Sequence, residues 1–301
     1  ILSLGKHGSH ELNFSSDLDL ILITPGEGKT DLENRLEACE TWRETHPYAR
    51  YSTNHEPTAR MRSVNFETFF AELGTRLIDL VSDPGHMGLL YRIDMRLRPE
   101  GVTGPLVRTF ESALQYYQNW GQRWERQALI RARPSAGCLE LGAALLKELE
   151  GFIYRKYVDP LEVDETLREM RDLRFRSILM AGNDPKARRR NVKNGPGGIR
   201  DVEFLVQAVQ NLYGAQFPEL RQGTLFGGLR RIHQGGLMGE QEYTMLLKGY
   251  AFLRRREHRV QMDDMQKYHL PPPGPNLEIL ARGMGYPDAA DLESHYTQTT
   301  E

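Results

Sequence analysis

The stretch that decides the fold is Asp17-Leu18-Asp19-Leu20-Ile21-Leu22-Ile23-Thr24. Residues 18–24 are almost wholly apolar and are followed by a Pro-Gly turn, which predicts a buried strand. Because residues two apart on a strand point to the same face, Asp17 and Asp19 should project together while the leucines enter the core. Two adjacent carboxylates repel each other unless they are solvated or share a cation. The pair therefore indicates a candidate metal site.

A second carboxylate-bearing segment reads Tyr91-Arg92-Ile93-Asp94-Met95-Arg96-Leu97-Arg98-Pro99. We expect a strand over Leu89–Leu97, with Asp94, Arg96 and Arg98 on one face and the apolar residues between them on the other. A third carboxylate beside the first two would complete an oxygen-ligand site that suits Mg²⁺ and holds substrate phosphates. This arrangement is typical of two-metal phosphoryl transfer.

A turn of small residues, Gly8-Ser9, precedes the paired aspartates. Glycine permits close approach of the backbone to a phosphate, and the Ser9 hydroxyl and free N–H groups can donate to it. An Asp-x-Asp pair at a strand end is common and on its own is weak evidence for a metal site. The combination of Gly-Ser, Asp-x-Asp and a later strand aspartate resembles the pattern of the polymerase-β-like nucleotidyltransferases, which favours a catalytic site.

Composition limits the possible classes of protein. The chain has 301 residues, long enough for about two domains, and a net charge of −2, which gives no sign of general nucleic-acid binding. No segment has the roughly 20 uninterrupted apolar residues needed to span a bilayer, and no secretory segment opens the chain. Cys39 and Cys138 lack any partner spacing, so we expect reduced thiols in a cytoplasmic protein. The first residue is Ile1 rather than Met, which suggests a piece of a longer protein.

The order of predicted elements indicates an α+β protein with a small mixed sheet followed by a helical bundle. Residues 1–108 contain strand candidates and one amphipathic helix at Phe66–Val81. Helical periodicity then runs from an N-cap at Thr109 through residue 133 and recurs in four later segments. The expected division is residues 1–108, residues 109–270, and a last part, 271–301, formed by a proline-rich linker and a C-terminal segment with one short helix.

Three other features of the sequence allow more than one interpretation. The aromatic stripe Tyr116, Tyr117, Trp120 and Trp124 could stack on bases but at helical spacing is typical of a core. Residues 168–200 carry ten basic and three acidic residues, and 183–194 lacks periodicity, which suggests a flexible basic loop. The following Gly197-Gly198 begins a helix, whose free N–H groups suit an anion. A plain glycine turn capped by Asp201 explains the same residues equally well.

Four long blocks, in order, resemble one family. They are GKHGSHELNFSSDLDLILI (residues 5–23), YRIDMRLRPEGVTGPLVRTFESALQYYQNWGQRWERQALIRARPSAG (91–137), KNGPGGIRDVEFLVQAVQNLYG (193–214) and FLRRREHRVQ (252–261). This is similar to the glutamine synthetase adenylyltransferase/adenylyl-removing enzyme family, whose amino-terminal half removes AMP from a tyrosine by phosphorolysis and whose carboxy-terminal half attaches it from ATP. These blocks are more similar to the removing half. The family usually has Gly-Gly where this chain has Gly8-Ser9.

The resemblance implies a site and a reaction. Asp17, Asp19 and Asp94 would hold two Mg²⁺ ions, and Gly8 and Ser9 would contact the phosphates of a nucleotide such as ADP or ATP. Candidates to bind the incoming phosphate are Arg96, Arg98, Lys193 and Arg200, with neutralisation of the carboxylates as the alternative role of the first two. Glutamine synthetase would be the protein substrate, and a PII-type signalling protein would be a further partner. Adenylylation by ATP and a non-catalytic regulatory module are the alternative functions.

Overall fold

The computed structural model describes residues 1–14, 16–30, 64–83, 91–182, 184–263 and 268–301. Cys39, the residues predicted as a strand at 89–90 and residue 183 of the basic loop lie outside these ranges. The strands are β1 (Leu2–Ser3), β2 (Leu18–Thr24), β3 (Ile93–Asp94), β4 (Val107–Thr109) and β5 (Arg133–Pro134).

Thirteen α-helices lie within the described ranges. They are α1 (Gly5–Gly8), α2 (Phe66–Ser82), α3 (Phe110–Asn119), α4 (Arg123–Leu129), α5 (Leu139–Glu148), α6 (Glu150–Ile153), α7 (Pro160–Leu179), α8 (Pro185–Arg189), α9 (Ile199–Tyr213), α10 (Leu225–Gln234), α11 (Glu240–Asp263), α12 (Pro275–Met284) and α13 (Ala289–Thr300). The predicted α+β class is confirmed: a small mixed sheet is followed by a long helical region.

Strand β2 is the centre of the sheet. It pairs in parallel with β3 near its start and with β4 near its end, and it pairs antiparallel with β1, which continues to β5. Leu20, Ile21 and Leu22 are buried, as the apolar run predicts. The helix α2 packs on β2 and β4, and a Cβ at Gly74 would come within 2.7 Å of Leu22. The short strand β3 thus ends beside the start of β2, where both aspartate segments meet.

Two clusters of buried apolar residues form the core. The first joins strand residues Leu2 and Ile21 to residues of α3–α6, such as Tyr117 and Leu145. The second lies among α9–α13 and includes Leu229 and Leu277. The helices of residues 110–153 therefore share apolar packing with the sheet, whereas the division at residue 108 places them with the bundle. That division stays a prediction.

Several elements differ from their predicted form. The helix expected from Thr109 to residue 133 is two helices, and a capping box formed by Gln122 and Glu125 begins the second one. Gly121 at the break lies against Phe152, where a Cβ would come within 2.6 Å. The basic loop contains α8, which begins at a proline and is capped by Asp184. Pro275 opens α12 instead of ending a linker, and α12 and α13 contribute to the second core cluster. None of the described helices is both long enough and apolar enough to cross a membrane.

Candidate active site

The two aspartate segments meet on neighbouring strands. In the parallel pair of β2 and β3, Asp19 is the register partner of Asp94, which puts their Cα atoms on adjacent strands about 5 Å apart. Asp17 precedes β2 and lines the same cleft. The structure therefore brings the three predicted carboxylates together at one edge of the sheet.

Electrostatics distinguish the three carboxylates. Burial, and then the charges of Asp94 and Asp17, raise the pKa of Asp19 to about 6. Burial would also raise the pKa of Asp94, but side-chain and backbone hydrogen bonds from Arg96 outweigh it and hold that pKa below its usual range. Asp17 accepts a hydrogen bond of 2.6 Å from Arg92. Asp19 is thus the carboxylate whose negative charge is least compensated.

The donor set of the acidic cluster suits a hard cation. Three carboxylates are the oxygen ligands that Mg²⁺ prefers, and the Asp19 carboxylate accepts no hydrogen bond from a residue that the structure describes. In the present side-chain arrangement, no three acidic, His or Cys side chains of the described ranges are grouped as metal ligands. Arg92 and Arg96 pair with the two flanking carboxylates, and their side chains are 45% and 74% exposed. The donor chemistry suits a cation that replaces these two arginines as the partner of the carboxylates.

Basic residues of the helical region form the opposite wall of this cleft, whose volume is about 740 Å³. Lys193 and Arg200 both line it, and their charges lower the pKa of Asp19, against the larger effect of burial. The ammonium of Lys193 lies 4.5 Å from the ring centre of Tyr268, which holds it by a cation–π contact. Acidic and basic residues therefore line the same cleft from different parts of the chain.

A buried ion pair supports the basic wall. Arg131 donates a hydrogen bond of 3.2 Å to Glu203, and both side chains are 8% exposed. Burial opposes the charge of Glu203, but Arg131 and then Arg200 outweigh it and lower its pKa to about 2. Glu203 is therefore ionised at neutral pH, and its carboxylate lies within 4.0 Å of Arg200.

Gly8 and Ser9 do not line the cleft, which corrects the expected phosphate turn. A Cβ at Gly8 would come within 1.9 Å of the carbonyl oxygen of Arg131, so this glycine is required by tight packing. Ser9 is 1% exposed, and its hydroxyl donates to the Gly5 and Lys6 carbonyl oxygens. The residues of this segment that do line the cleft are Gly5 and Lys6.

Arg96 and Arg98 have different surroundings, although we expected them on one strand face. The strand β3 ends at Asp94, and a turn follows it. Arg96 pairs with Asp94 and lines the cleft. The guanidinium of Arg98 instead donates to four backbone carbonyl oxygens, those of Met95, Val102, Gly104 and Pro105. Arg98 therefore holds the loop after β3, and its donors are used there rather than on an incoming phosphate.

The glycine turn before α9 is also different from an anion site. The N–H groups of Gly198, Ile199 and Arg200 donate to carbonyl oxygens of the preceding loop at 3.0–3.1 Å. Gly197 has φ +68°, and a Cβ there would come within 2.0 Å of the Thr300 carbonyl oxygen. The glycines serve a tight turn and the close approach of α13, which favours the packing interpretation over the anion site.

Two residues that the sequence reasoning did not single out have clear roles in the geometry. Lys6 lines the cleft and pairs with Glu257 at 2.7 Å, and burial lowers its pKa to about 8. Arg174 lies under the basic wall, where it pairs with Asp201 and donates to the carbonyl oxygens of Asn194 and Gly195. Arg174 is buried, unlike the other basic residues of 168–200. From the sequence, only its position on the predicted helix could have indicated this burial.

Two known protein families match successive parts of the chain. The family model for glutamate-ammonia ligase adenylyltransferase matches residues 1–44 and 48–148, which include all three aspartates. A second family model, for GlnD PII-uridylyltransferase, matches residues 176–301. The two models thus cover, respectively, the sheet with its first helices and most of the helical region that forms the basic wall.

Individual relatives give the same result. The chain is 36% identical to the bifunctional glutamine synthetase adenylyltransferase/adenylyl-removing enzyme of Hahella chejuensis, over 95% of this chain and 26% of that protein. It is 36% identical to the enzyme of that name from Mesorhizobium japonicum, over 96% and 26% of the two chains. For the Shewanella woodyi protein the values are 35%, 98% and 28%. The chain therefore spans about a quarter of the length of these curated relatives.

Proposed function

We propose that the chain, which belongs to the glutamate-ammonia ligase adenylyltransferase family, removes AMP from adenylylated glutamine synthetase by phosphorolysis. The chain matches one part of the members of this family. The observation that carries this proposal is the single cleft in which the register partners Asp19 and Asp94 face Lys193 and Arg200. An acidic wall that holds a cation, opposite a basic wall, suits a phosphate ester, because the cation on one side and the basic side chains on the other would neutralise its oxygens.

The acidic wall would hold Mg²⁺ through Asp17, Asp19 and Asp94. Bound there, the metal would supply electrostatic stabilisation of the charge that develops on phosphate oxygens. The raised pKa of Asp19 supports this role, because buried neighbouring carboxylates become stable together when a cation compensates them. The side chains of Arg92 and Arg96 are exposed, and they would release Asp17 and Asp94 when the cation binds.

The basic wall would bind the inorganic phosphate that attacks. Lys193 and Arg200 of this wall offer cationic donors to its oxygens, and Lys6 of α1, which lines the same cleft, offers a third. The buried pair Arg131–Glu203 restricts the position of Arg200. An oxygen of inorganic phosphate forms a new bond to the adenylyl phosphorus as the bond to the tyrosine oxygen breaks. The products are ADP and a tyrosine hydroxyl, which takes up the proton that balances the step.

The attachment of AMP would use the same groups. In that reaction a tyrosine oxygen of glutamine synthetase forms a bond to the α-phosphorus of ATP as the bond to pyrophosphate breaks. The same carboxylates would serve it, so the geometry supports both reactions, and the sequence resemblance favours removal. A PII-type signalling protein remains a proposed regulatory partner. A binding module without catalysis is the third alternative, and the retention of all three carboxylates speaks against it.

The deciding experiment measures the removal and the attachment of AMP with one protein. Incubated with adenylylated glutamine synthetase, phosphate and Mg²⁺, the chain should release ADP. Asp19→Asn should reduce that rate by about 100-fold or more. The exposed Asp164 lies outside the cleft, so Asp164→Asn is the matched control and should retain the rate. Incorporation of label from ATP into unmodified synthetase would identify the attachment of AMP instead, and inactivity in both assays would favour the binding module.

Metal binding can be measured without turnover. The pKa of Asp19 is about 6 in the folded protein, against an ordinary value of 3.8, so the free energy of unfolding falls as pH rises through this window. At pH 8 in EDTA, Asp19→Asn should therefore melt at a higher temperature than the parent. Mg²⁺ at 100 times its Kd should stabilise the parent by about 2.7 kcal/mol and the variant far less. Equal stabilisation of both proteins would contradict a metal site at Asp19.

A further inference from the structure

The cleft continues beyond its charged walls along two helices. Gln127 Nε2 donates a hydrogen bond of 2.6 Å to Gln207 Oε1, and Arg131 pairs with Glu203. Glu203 and Gln207 are four residues apart on α9, whereas Gln127 lies on α4 and Arg131 lies just after its end at Leu129, so α4 and α9 lie side by side and run in opposite directions. Trp124 lies three residues before Gln127 on α4, so the two side chains share one face of that helix. Trp124, the glutamine pair and the carboxylates all line the same cleft.

The cleft also has apolar lining residues near the glutamine pair in the chain. Trp124 precedes Gln127 on α4, Phe204 precedes Gln207 on α9, and Leu173 of α7 lines the same cleft; Trp124 is 36% exposed. Trp120 is 65% exposed but does not line the cleft, and Tyr117 is buried in the first core cluster. The aromatic stripe is thus divided between core, outer surface and cleft. Of its four members, Trp124 alone presents its ring to the same space as the carboxylates.

The glutamine pair has hydrogen-bonding capacity left. With Gln127 donating to Gln207, the Gln127 carbonyl oxygen can still accept and the Gln207 amide nitrogen can still donate. Both residues line the cleft. The pair therefore presents one acceptor and one donor beside an aromatic face, which is complementary to the edge and the face of a purine.

We propose that Trp124, Leu173 and Phe204, with the Gln127–Gln207 pair, form the subsite for the adenine base. The inference rests on the proposed function, because the phosphate is assumed to lie between the acidic and basic walls. The tyrosine ring of the protein substrate is another flat group that could stack on Trp124. Adenine is the better occupant, since a tyrosine ring has no adjacent donor and acceptor for the two amides.

Binding of free ligands tests the subsite apart from catalysis. The probes are ADP, GDP and inorganic pyrophosphate, each measured by calorimetry with Mg²⁺ present. Trp124→Leu should weaken ADP binding by about 5- to 100-fold and leave pyrophosphate binding unchanged. Trp124→Phe keeps an aromatic face and should retain most of the affinity, and Trp120→Leu is the matched control with no effect. Gln207→Leu should reduce the preference for ADP over GDP.

Three results would overturn the subsite. They are equal binding of ADP and pyrophosphate by the parent, unchanged ADP affinity in a folded Trp124→Leu, and an equal loss in Trp120→Leu. Melting curves of each variant separate lost binding from lost folding, and Trp124→Phe keeps the test valid if Trp124→Leu unfolds. ADP release from adenylylated synthetase that is insensitive to Trp124→Leu would leave the proposed function standing without this subsite. ADP binding that depends on Trp124, without any turnover, would support the subsite and contradict the proposed function.

Discussion

At the scale of single residues, Gly5 sets the position of the central carboxylate. Its φ is +53°, and a Cβ there would come within 2.1 Å of Asp19 Oδ2. Glycine is therefore required twice, by a backbone conformation that L side chains rarely adopt and by contact with the carboxylate. The same segment supplies Lys6 to the cleft, so one turn of α1 provides both a close approach and a cation.

We predict that Gly5→Ala displaces Asp19 and reduces turnover by about 100-fold, since a misplacement of about 1 Å near reacting atoms has that effect. The matched control is Gly236→Ala. Gly236 has φ +73°, and a Cβ there would meet no atom within 4 Å, so it reports backbone strain alone, about 1–2 kcal/mol. ADP release and melting temperature are measured for both. Similar activity in the two variants would show that the carboxylate is not held by Gly5.

At the scale of elements, Arg174 connects α7 to the loop that carries Lys193. Its guanidinium donates to both carboxylate oxygens of Asp201, at 2.6 and 2.8 Å, and to the carbonyl oxygens of Asn194 and Gly195 at 2.9 and 2.8 Å. A planar guanidinium satisfies these four acceptors together, which a lysine ammonium on a flexible stem does not. The position of Lys193 therefore depends on a side chain outside the cleft.

We predict that Arg174→Lys lowers the free energy of unfolding by about 2–4 kcal/mol, because it leaves buried acceptors without donors. Arg171→Lys, at an exposed position on the same helix, is the control and should change stability by less than about 0.5 kcal/mol. Denaturant unfolding measures both. Phosphate affinity should weaken in Arg174→Lys even at temperatures where the variant is fully folded. If Arg174→Lys keeps the parental phosphate affinity, Arg174 does not position the basic wall.

The elements also show which features the sequence could predict. The run at Leu18–Thr24 forms a strand with the predicted bounds, because its apolar pattern is a local property. The place of Asp94 beside Asp19 is instead expected from the resemblance to the polymerase-β-like nucleotidyltransferase pattern, while the strand expected over Leu89–Leu97 is only Ile93–Asp94 in the described part of the chain. The displacement of Gly8 and Ser9 from the cleft depends on the backbone near Arg131, and the use of Gly197 depends on Thr300. Contacts between distant parts of the chain leave no periodicity in the sequence, so the roles of these glycines could not be read from it.

At the scale of the whole molecule, a buried charge network joins the two core clusters. Glu257 of α11 is fully buried and pairs with Lys6 of α1 and with Arg254. Arg254 also donates to the Glu11 carbonyl oxygen at 2.7 Å, and the Glu11 carboxylate accepts from the N–H of Leu225 at the start of α10. The helical region is thereby connected to the segment that forms one end of the cleft.

The network should make the proposed binding of phosphate sensitive to pH. Burial lowers the pKa of Lys6 to about 8, against the opposing effect of Glu257, so Lys6 loses its charge as pH rises through that value. We predict that the apparent affinity for inorganic phosphate falls above about pH 8. Lys6→Arg keeps its charge and should move the fall to higher pH. Lys6→Met should abolish the fall and weaken binding below about pH 8, where Lys6 of the parent is charged. A parental profile in Lys6→Met would exclude Lys6 from phosphate binding.

Glu257→Gln tests the same network from the helical side, far along the chain from the aspartates. Without Glu257 the charge on Lys6 loses its main stabilising partner, so the fall in phosphate affinity should begin below pH 8. The change also leaves Lys6 and Arg254 as buried unpaired cations, which should reduce the free energy of unfolding by about 3–5 kcal/mol. Because this loss is large, the pH profile is measured at a temperature where melting shows the variant folded. A fall that stays at the parental pH would mean that Lys6 titrates independently of α11, and the helical region would then act on the cleft only through its basic wall.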